Sequence, residues 1–276
     1  MKHTIQRFVL LLSTSLFFAQ CNHQQAHTTT SSKNTVFIWD FSKPKKYIYR
    51  YTTTQKHSSF LSDDNADKAA AQTMEATLVV KVKSNQMADL IVANIREKKS
   101  ILNQKAFGKG FSGAEAQVIY QDYPADGQIQ TLKGNLSLGT LFPLPPYDFA
   151  KGGSAKSVVK LPFHLYGSTL FANGYHKLYY KERTKKKQRN CAVLTGEWNV
   201  SDLKVPEELK ADAKLEYKGK GTYFFDYENH CFVYSEVNLR TEMSAEMKGG
   251  GIGSLDNVAL DSQVKIVLEL IKVEEY

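Results

Sequence analysis

Two long stretches near the C-terminus alternate with a period of two, and that periodicity narrows the available folds more than any other feature. Residues 213–226 read AKLEYKGKGTYFFD. Leu215, Tyr217, Gly219, Gly221, Tyr223 and Phe225 fall on one face; Lys214, Glu216, Lys218, Lys220 and Thr222 fall on the other. Successive side chains of a strand point to opposite faces, so this is a strand with one dry and one wet side. The Tyr227-Glu228-Asn229-His230 step supplies a turn, and 231–245 follow as a second strand. There Cys231, Val233, Val237, Leu239, Thr241 and Met243 share one face, and Glu236, Asn238, Arg240 and Glu242 share the other. The pair reads as a long antiparallel hairpin.

The same pattern recurs upstream. Met74, Ala76, Leu78, Val80 and Val82 alternate with polar residues, a turn at 84–86 follows, and 90–97 continue as a strand. Segments 117–120 and 129–132 flank Pro124-Ala125-Asp126-Gly127, whose Asp-Gly step is a turn signal. Segments 175–181 and 191–200 flank a basic loop, and 263–273 form an apolar closing strand. Helix signals are few: a turn or two over 98–104, and Pro206-Glu207-Glu208-Leu209-Lys210 with Pro near its start. The loop-rich middle, 139–155, would cover one end of the sheet or separate two halves. The expected fold is mostly β: about ten strands in a large curved antiparallel sheet or half-barrel, with one or two short helices. A sandwich is the other arrangement that one-sided strands permit, but the strands exceed the common length of about 5–6 residues, which favours a large curled sheet.

The N-terminus carries an address. Lys2 and Arg7 precede an apolar run over 8–19, interrupted only by Ser13, Thr14 and Ser15. Roughly 12 residues cannot cross a hydrocarbon core about 30 Å thick, so 1–20 reads as a secretory signal rather than an anchor helix. Cys21 follows directly. Phe18-Ala19-Gln20-Cys21 resembles a bacterial lipobox, in which the Cys becomes the diacylated N-terminus; Ala19 suits that pattern, whereas Gln20 and Phe18 depart from it. A Cys ending a simple signal peptide is the alternative. The polar stretch from Asn22 to Asn34 holds no apolar residue larger than Ala and cannot offset its ordering entropy, so 21–35 reads as a lipidated flexible tether ahead of a β domain over 36–276. Loss of 1–20 removes Lys2 and Arg7 and no acid, lowering the formal charge from +8 to +6.

An exported lipoprotein opening with the strand Tyr47-Ile48-Tyr49-Arg50-Tyr51 resembles uncharacterised bacterial envelope lipoprotein families. The Leu141-Phe142-Pro143-Leu144-Pro145 loop and the Gly221-Thr222-Tyr223-Phe224-Phe225-Asp226 strand leading to 235–243 carry the same resemblance. Those families are similar in architecture to periplasmic lipoprotein carriers, in which short helices close a curved antiparallel sheet. The resemblance implies a hydrophobic cavity, a membrane attachment through Cys21, and a hydrophobic ligand or an envelope protein as partner, facing the periplasm or the surface.

Candidate chemistry is sparse. Gly108-Lys109-Gly110-Phe111-Ser112-Gly113 matches G-x-G-x-x-G, but a strand rather than a helix follows it, so it reads as a β connection. Gly249-Gly250-Gly251-Ile252-Gly253 reads as a loop. His23, His27, His57, His164, His176 and His230 form no short ligand spacing, and no G-x-S-x-G elbow is present. The expectation is a non-enzymatic protein with no catalytic residue, no metal and no cofactor; a hydrolase assembled from distant residues is the remaining enzymatic reading. Cys191 and Cys231 are candidates for a disulfide or for two buried free thiols. Lys181, Arg183, Lys185, Lys186, Lys187 and Arg189 crowd one loop, opposed only by Glu182. With Lys43, Lys45 and Lys46 they would suit an anionic surface, or simply solvate a hairpin tip; nucleic acid is a poor partner for an exported chain. Tyr175, Tyr179 and Tyr180 beside them read as strand residues packed on the sheet.

Overall fold

The computed structural model describes residues 20–22, 35–61, 70–99, 116–127, 138–145, 148–165, 168–209, 211–247 and 257–276. They form one large, open antiparallel sheet. A first meander holds β3 (Lys45–Leu61), β4 (Ala70–Val82), β5 (Met87–Lys99) and β6 (Gln117–Pro124). A second holds β8 (Ser154–Leu165), β9 (Ser168–Lys186), β10 (Arg189–Leu203), β11 (Ala211–Asp226), β12 (Cys231–Met247) and β13 (Asn257–Glu275). Strand β13 pairs with β12 on one side and with β3 on the other, joining the meanders. The sheet order is β1-β8-β9-β10-β11-β12-β13-β3-β4-β5-β6, where β1 is the short Gln20–Asn22 segment at the β8 edge.

The alternation predicted from sequence sets the faces. In β11 every residue from Leu215 to Phe225 at odd positions points inward, and the register carries this into β12: Leu215 faces Met243, Tyr217 faces Thr241, and Gly219 faces Leu239. A bulge between Phe224 and Phe225 then shifts the phase. Beyond it Phe232 pairs with Phe225 and joins the core row, while Val233 is left out of the pairing and is still buried. The mechanism is general: a bulge sets two residues of one strand against one of its partner, which flips later side chains. Turns follow the sequence signals at 84–86 and 227–230. Lys187 and Gln188 form a two-residue turn with φ of 49° and 63°, the primed geometry that matches strand twist. The helix signal at 206–210 becomes a single 3-10 turn, Glu207–Leu209. At 98–104 the first two residues belong to β5, and the rest, with 129–132, lie outside the described residues.

The middle loop does cover one end of the sheet. It contains a single helical turn, α1 (Leu138–Leu141), and β7 (Asp148–Phe149), which pairs with β2 (Thr35–Val36). Together with residues 37–41 it packs a plug of rings against the inner face. Trp39 meets Tyr47, Phe142 and Phe232 at centroid distances of 5.2, 5.2 and 5.6 Å. Phe37 meets Tyr180 and Phe225, and Phe41 meets Tyr123. These contacts lie at the end of the sheet that carries the 84–86, 187–188 and 227–230 turns.

Candidate functional site

A plug of irregular backbone inside an apolar sheet must have its polar groups satisfied, because a buried unpaired carbonyl or amide is costly. Inward hydroxyls do this. Tyr47 donates to the Asp40 carbonyl at 2.7 Å, Tyr223 to the Thr140 carbonyl at 2.9 Å, and Ser235 to the Leu141 carbonyl at 2.9 Å. The Trp39 amide donates to Ala125 and the Asp40 amide to His230. Burial raises the pKa of Tyr47, Tyr49 and Tyr223 well above the ordinary phenol value, so these groups remain neutral donors. At the mouth of the plug, burial works against the charge of Asp40, yet bonds from Lys45 and Ser42 win and bring its carboxyl down to about 2.

Away from the plug the inner face stays apolar. Phe225 and Leu268 at the plugged end are 0% exposed; Tyr51 reaches 8% and Tyr217 7%, and Met74, Leu260 and Val264 are only partly buried. Glycines make room here. A Cβ on Gly219 would stand 2.6 Å from Leu239 and 3.0 Å from Trp198, and one on Gly196 would stand 2.7 Å from His176. Trp198 and His176 therefore lie flat over a glycine floor, stacked 4.2 Å apart and within 6° of parallel. Ser262 brings a buried hydroxyl onto this wall with no hydrogen-bond partner among the described residues. This is a concave, apolar surface with a few polar atoms, the makeup of small-molecule and apolar-segment sites.

Cys191 and Cys231 do not meet. Asp226 pairs with Cys191 on one side and with Cys231 on the other, so the thiols sit two strands apart. At about 4.8 Å per strand their Cα atoms lie near 10 Å, beyond the reach of a disulfide. Both are free and buried, which corrects the disulfide alternative. Burial, with Asp226 adding to it, pushes the Cys191 thiol up to about 11 and the Cys231 thiol up to about 12. Asp226 itself is fully buried. Burial alone would raise its pKa, but bonds from the Asn229 and Glu228 amides, the Asn229 side chain and Arg189 outweigh it and lower the value.

The basic loop is built into the fold more than expected. Arg183 donates to Tyr180 at 3.0 Å and to Thr35 at 2.9 Å, pinning β2 to the sheet. Arg189 pairs with Asp226 at 2.9 Å, Lys187 pairs with Glu269, and Lys186 lies over the rings of Phe224 and Tyr234. Lys185 and Lys181 remain on the surface, with Lys181 over Tyr179 at 4.6 Å. Lys45 is buried against Asp40. Of the three tyrosines, Tyr180 points inward, while Tyr175 and Tyr179 lie outward beneath lysines. The sequence reading missed β8 altogether, and with it Lys156 and Lys160. The signal was present in the alternation of Ser157, Val159 and Leu161 with Lys156, Val158 and Lys160.

Cys21 pairs with Val159 at the sheet edge. His23, His27 and the glycine runs 108–113 and 249–253 lie outside the described residues. Among the described residues, no three His, Cys, Asp or Glu side chains converge on a metal-sized site. A scan of protein-family models finds no match to this chain, and a search of curated proteins finds none either.

Proposed function

We propose that this chain is a membrane-tethered, non-enzymatic lipoprotein of a bacterial cell envelope, held through Cys21, whose curved sheet receives an apolar ligand or the apolar segment of an envelope protein. The observation that carries the binding role is the asymmetry of the inner face. Aromatic rings fill the turn end, while the rows beyond it keep apolar side chains over a glycine floor with partial exposure at Met74, Leu260 and Val264. Burying such side chains against a ligand is worth roughly 25 cal/mol per Å² of apolar area removed from water. The export signal and lipobox-like stretch at the N-terminus support the tether. Contact with an anionic surface through 181–189 is the weaker reading, because Arg183, Lys186, Lys187 and Arg189 already have intramolecular work.

Protein purified from native membranes is extracted with organic solvent and the extract read by mass spectrometry. A co-purifying apolar compound that falls when Met74→Gln and Val264→Gln are combined supports the reading. An empty, stable protein that also ignores a solvatochromic fatty-acid probe rejects it. Intact mass of the membrane-extracted chain, with Cys21→Ser as control, tests the tether: a mass beginning at Cys21 plus acyl chains is the expected result.

A further inference from the structure

The outer face of the sheet is divided by charge. Over β11–β13 and β3, most lysines and arginines are paired: Arg240 with Asp261 and Glu242, Lys265 with Glu236, Arg50 with Glu269, Lys218 with Glu216, and Lys272 with Glu274, while Lys46, Lys56, Lys214 and Lys220 are in no ion pair among the described residues. Strands β8 and β9 differ. They carry seven Lys or Arg residues and one carboxylate, Glu182. Lys156, Lys160, Lys177 and Lys181 make no ion pair among the described residues. Instead they lie over aromatic rings: Lys156 over Tyr175 and Lys160 over Phe171, both at 4.3 Å, and Lys177 and Lys181 over Tyr179 at 4.8 and 4.6 Å. Phe171 and Val158 stand among them 42% and 47% exposed.

Lysines are ordinary near a sheet edge such as β8, which only the short β1 covers, because they discourage pairing with another chain. That reason does not reach Lys177, which sits on β9 between two paired neighbours and directly opposite Lys156. Two like charges facing each other across a ladder are unfavourable unless something anionic offsets them. Glu197 stands directly opposite Lys177 on β10, but it makes no ion pair with that lysine and accepts from Tyr179 at 3.4 Å, so one carboxylate faces the two lysines. Ammonium groups above amphipathic rings, with apolar side chains between them, match the two layers of a bilayer surface: phosphate outside, acyl boundary beneath.

We infer that the outer face of β8 and β9 is a docking surface for an anionic phospholipid bilayer. It rests on the tethered-lipoprotein reading for its biological setting, since β1 brings Cys21 to the same edge, opposite Val159. One anchor and one basic patch act together in membrane attachment.

The experiment is vesicle flotation with the full chain carrying Cys21→Ser, so that no acyl chain contributes. Vesicles of phosphatidylcholine are compared with vesicles of phosphatidylcholine and phosphatidylglycerol. The readout is the ratio of anionic to neutral binding, because the apolar stretch at 8–19 inserts into both. Each lysine lost should weaken anionic binding about fivefold, so Lys156→Ser, Lys160→Ser and Lys177→Ser together give a loss on the order of a hundredfold. Arg at the same three positions retains binding, which separates charge from folding. Lys218→Ser, Lys265→Ser and Lys272→Ser remove equal charge from the paired half and leave the ratio near its original value. An unchanged ratio in the first triple variant, or an equal fall in the second, overturns the proposal. So does capture by dextran sulfate without vesicle binding, which would mark a polysaccharide surface. The tether stands apart: an unacylated chain by intact mass removes the anchor while leaving this result intact, and failed flotation removes the face while leaving the anchor intact.

Discussion

Gly221 tests whether the plug is held as described. A Cβ there would stand 2.2 Å from the Tyr223 hydroxyl oxygen, 2.6 Å from Cζ and 2.8 Å from Cε2. Tyr223 is fully buried, and its hydroxyl anchors the Thr140 carbonyl of α1. Gly221→Ala must therefore tilt the ring. Overpacking of this kind costs about 1–3 kcal/mol, and losing the hydrogen bond adds about 1 kcal/mol. Alanine returns roughly 0.5–1 kcal/mol through its lower entropy in a strand. The net loss is about 1.5–3 kcal/mol, to be read from urea unfolding at constant m-value. Tyr223→Phe alone should cost about 1 kcal/mol. Because both changes forfeit the same bond, the double variant should cost less than the sum, by about 1 kcal/mol. A neutral Gly221→Ala, or strict additivity, would refute the claim that Tyr223 lies over this glycine and holds the plug.

The pKa of Asp226 is lowered in the folded protein, so the stability it contributes is present above its unfolded value near 3.9 and is lost as pH falls through the folded value. Asp226→Asn should flatten the acid limb of a stability–pH curve and cost on the order of 2–3 kcal/mol at neutral pH, given that Arg189 is partly exposed; an unaltered acid limb would contradict this. Cys191 and Cys231, with thiols pushed up to about 11 and 12, should resist a thiol reagent at pH 8 until the protein is denatured. Denatured protein should then titrate two thiols if Cys21 is acylated and three if it is free; rapid labelling of the native protein would show that the buried row opens readily. A chain ending at 256 loses the ladders to both β12 and β3, so it should show no cooperative thermal transition, and a sharp melt would refute the bridging role of β13.

Strand positions and their faces were legible wherever one side of the ladder is wet. Leu215 to Phe225 and Met74 to Val82 alternate because solvent selects every second residue. What the alternation did not show is the bulge at Val233, which has no composition signal and brings Phe232 into the core row. Phe37, Trp39 and Phe41 also alternate and are all buried, but that segment lies outside the large sheet and packs across it. Periodicity reports which side chains are buried without saying whether a ladder or a layer of rings buries them. Tyrosine hydroxyls carried no signal, since their plug partners are main-chain carbonyls that any residue could supply. The basic loop misled for a related reason: composition shows the charge of Arg183 and Arg189, whereas Thr35 and Asp226, their partners, lie 148 and 37 residues away.

The place of β13 bears on how the candidate sites can work. Each meander is built from neighbouring strands, so its contacts are local and its hairpins can form early. The β13–β3 ladder joins residues 257–275 to 45–61, and the inner face is continuous only once it closes: Leu268 then stands beside Tyr51, and Ile266 beside Thr53. The partly exposed apolar rows draw on both meanders, with Met74 from the first and Leu260 and Val264 from β13. A ligand in those rows would touch both halves and stabilise their union, whereas the basic face of β8 and β9 belongs to the second meander alone. Occupancy of the inner face should therefore couple to global stability. Contact of the outer face with a bilayer should depend on local charge, because its four lysines sit on two adjacent strands whose ladder does not involve β13.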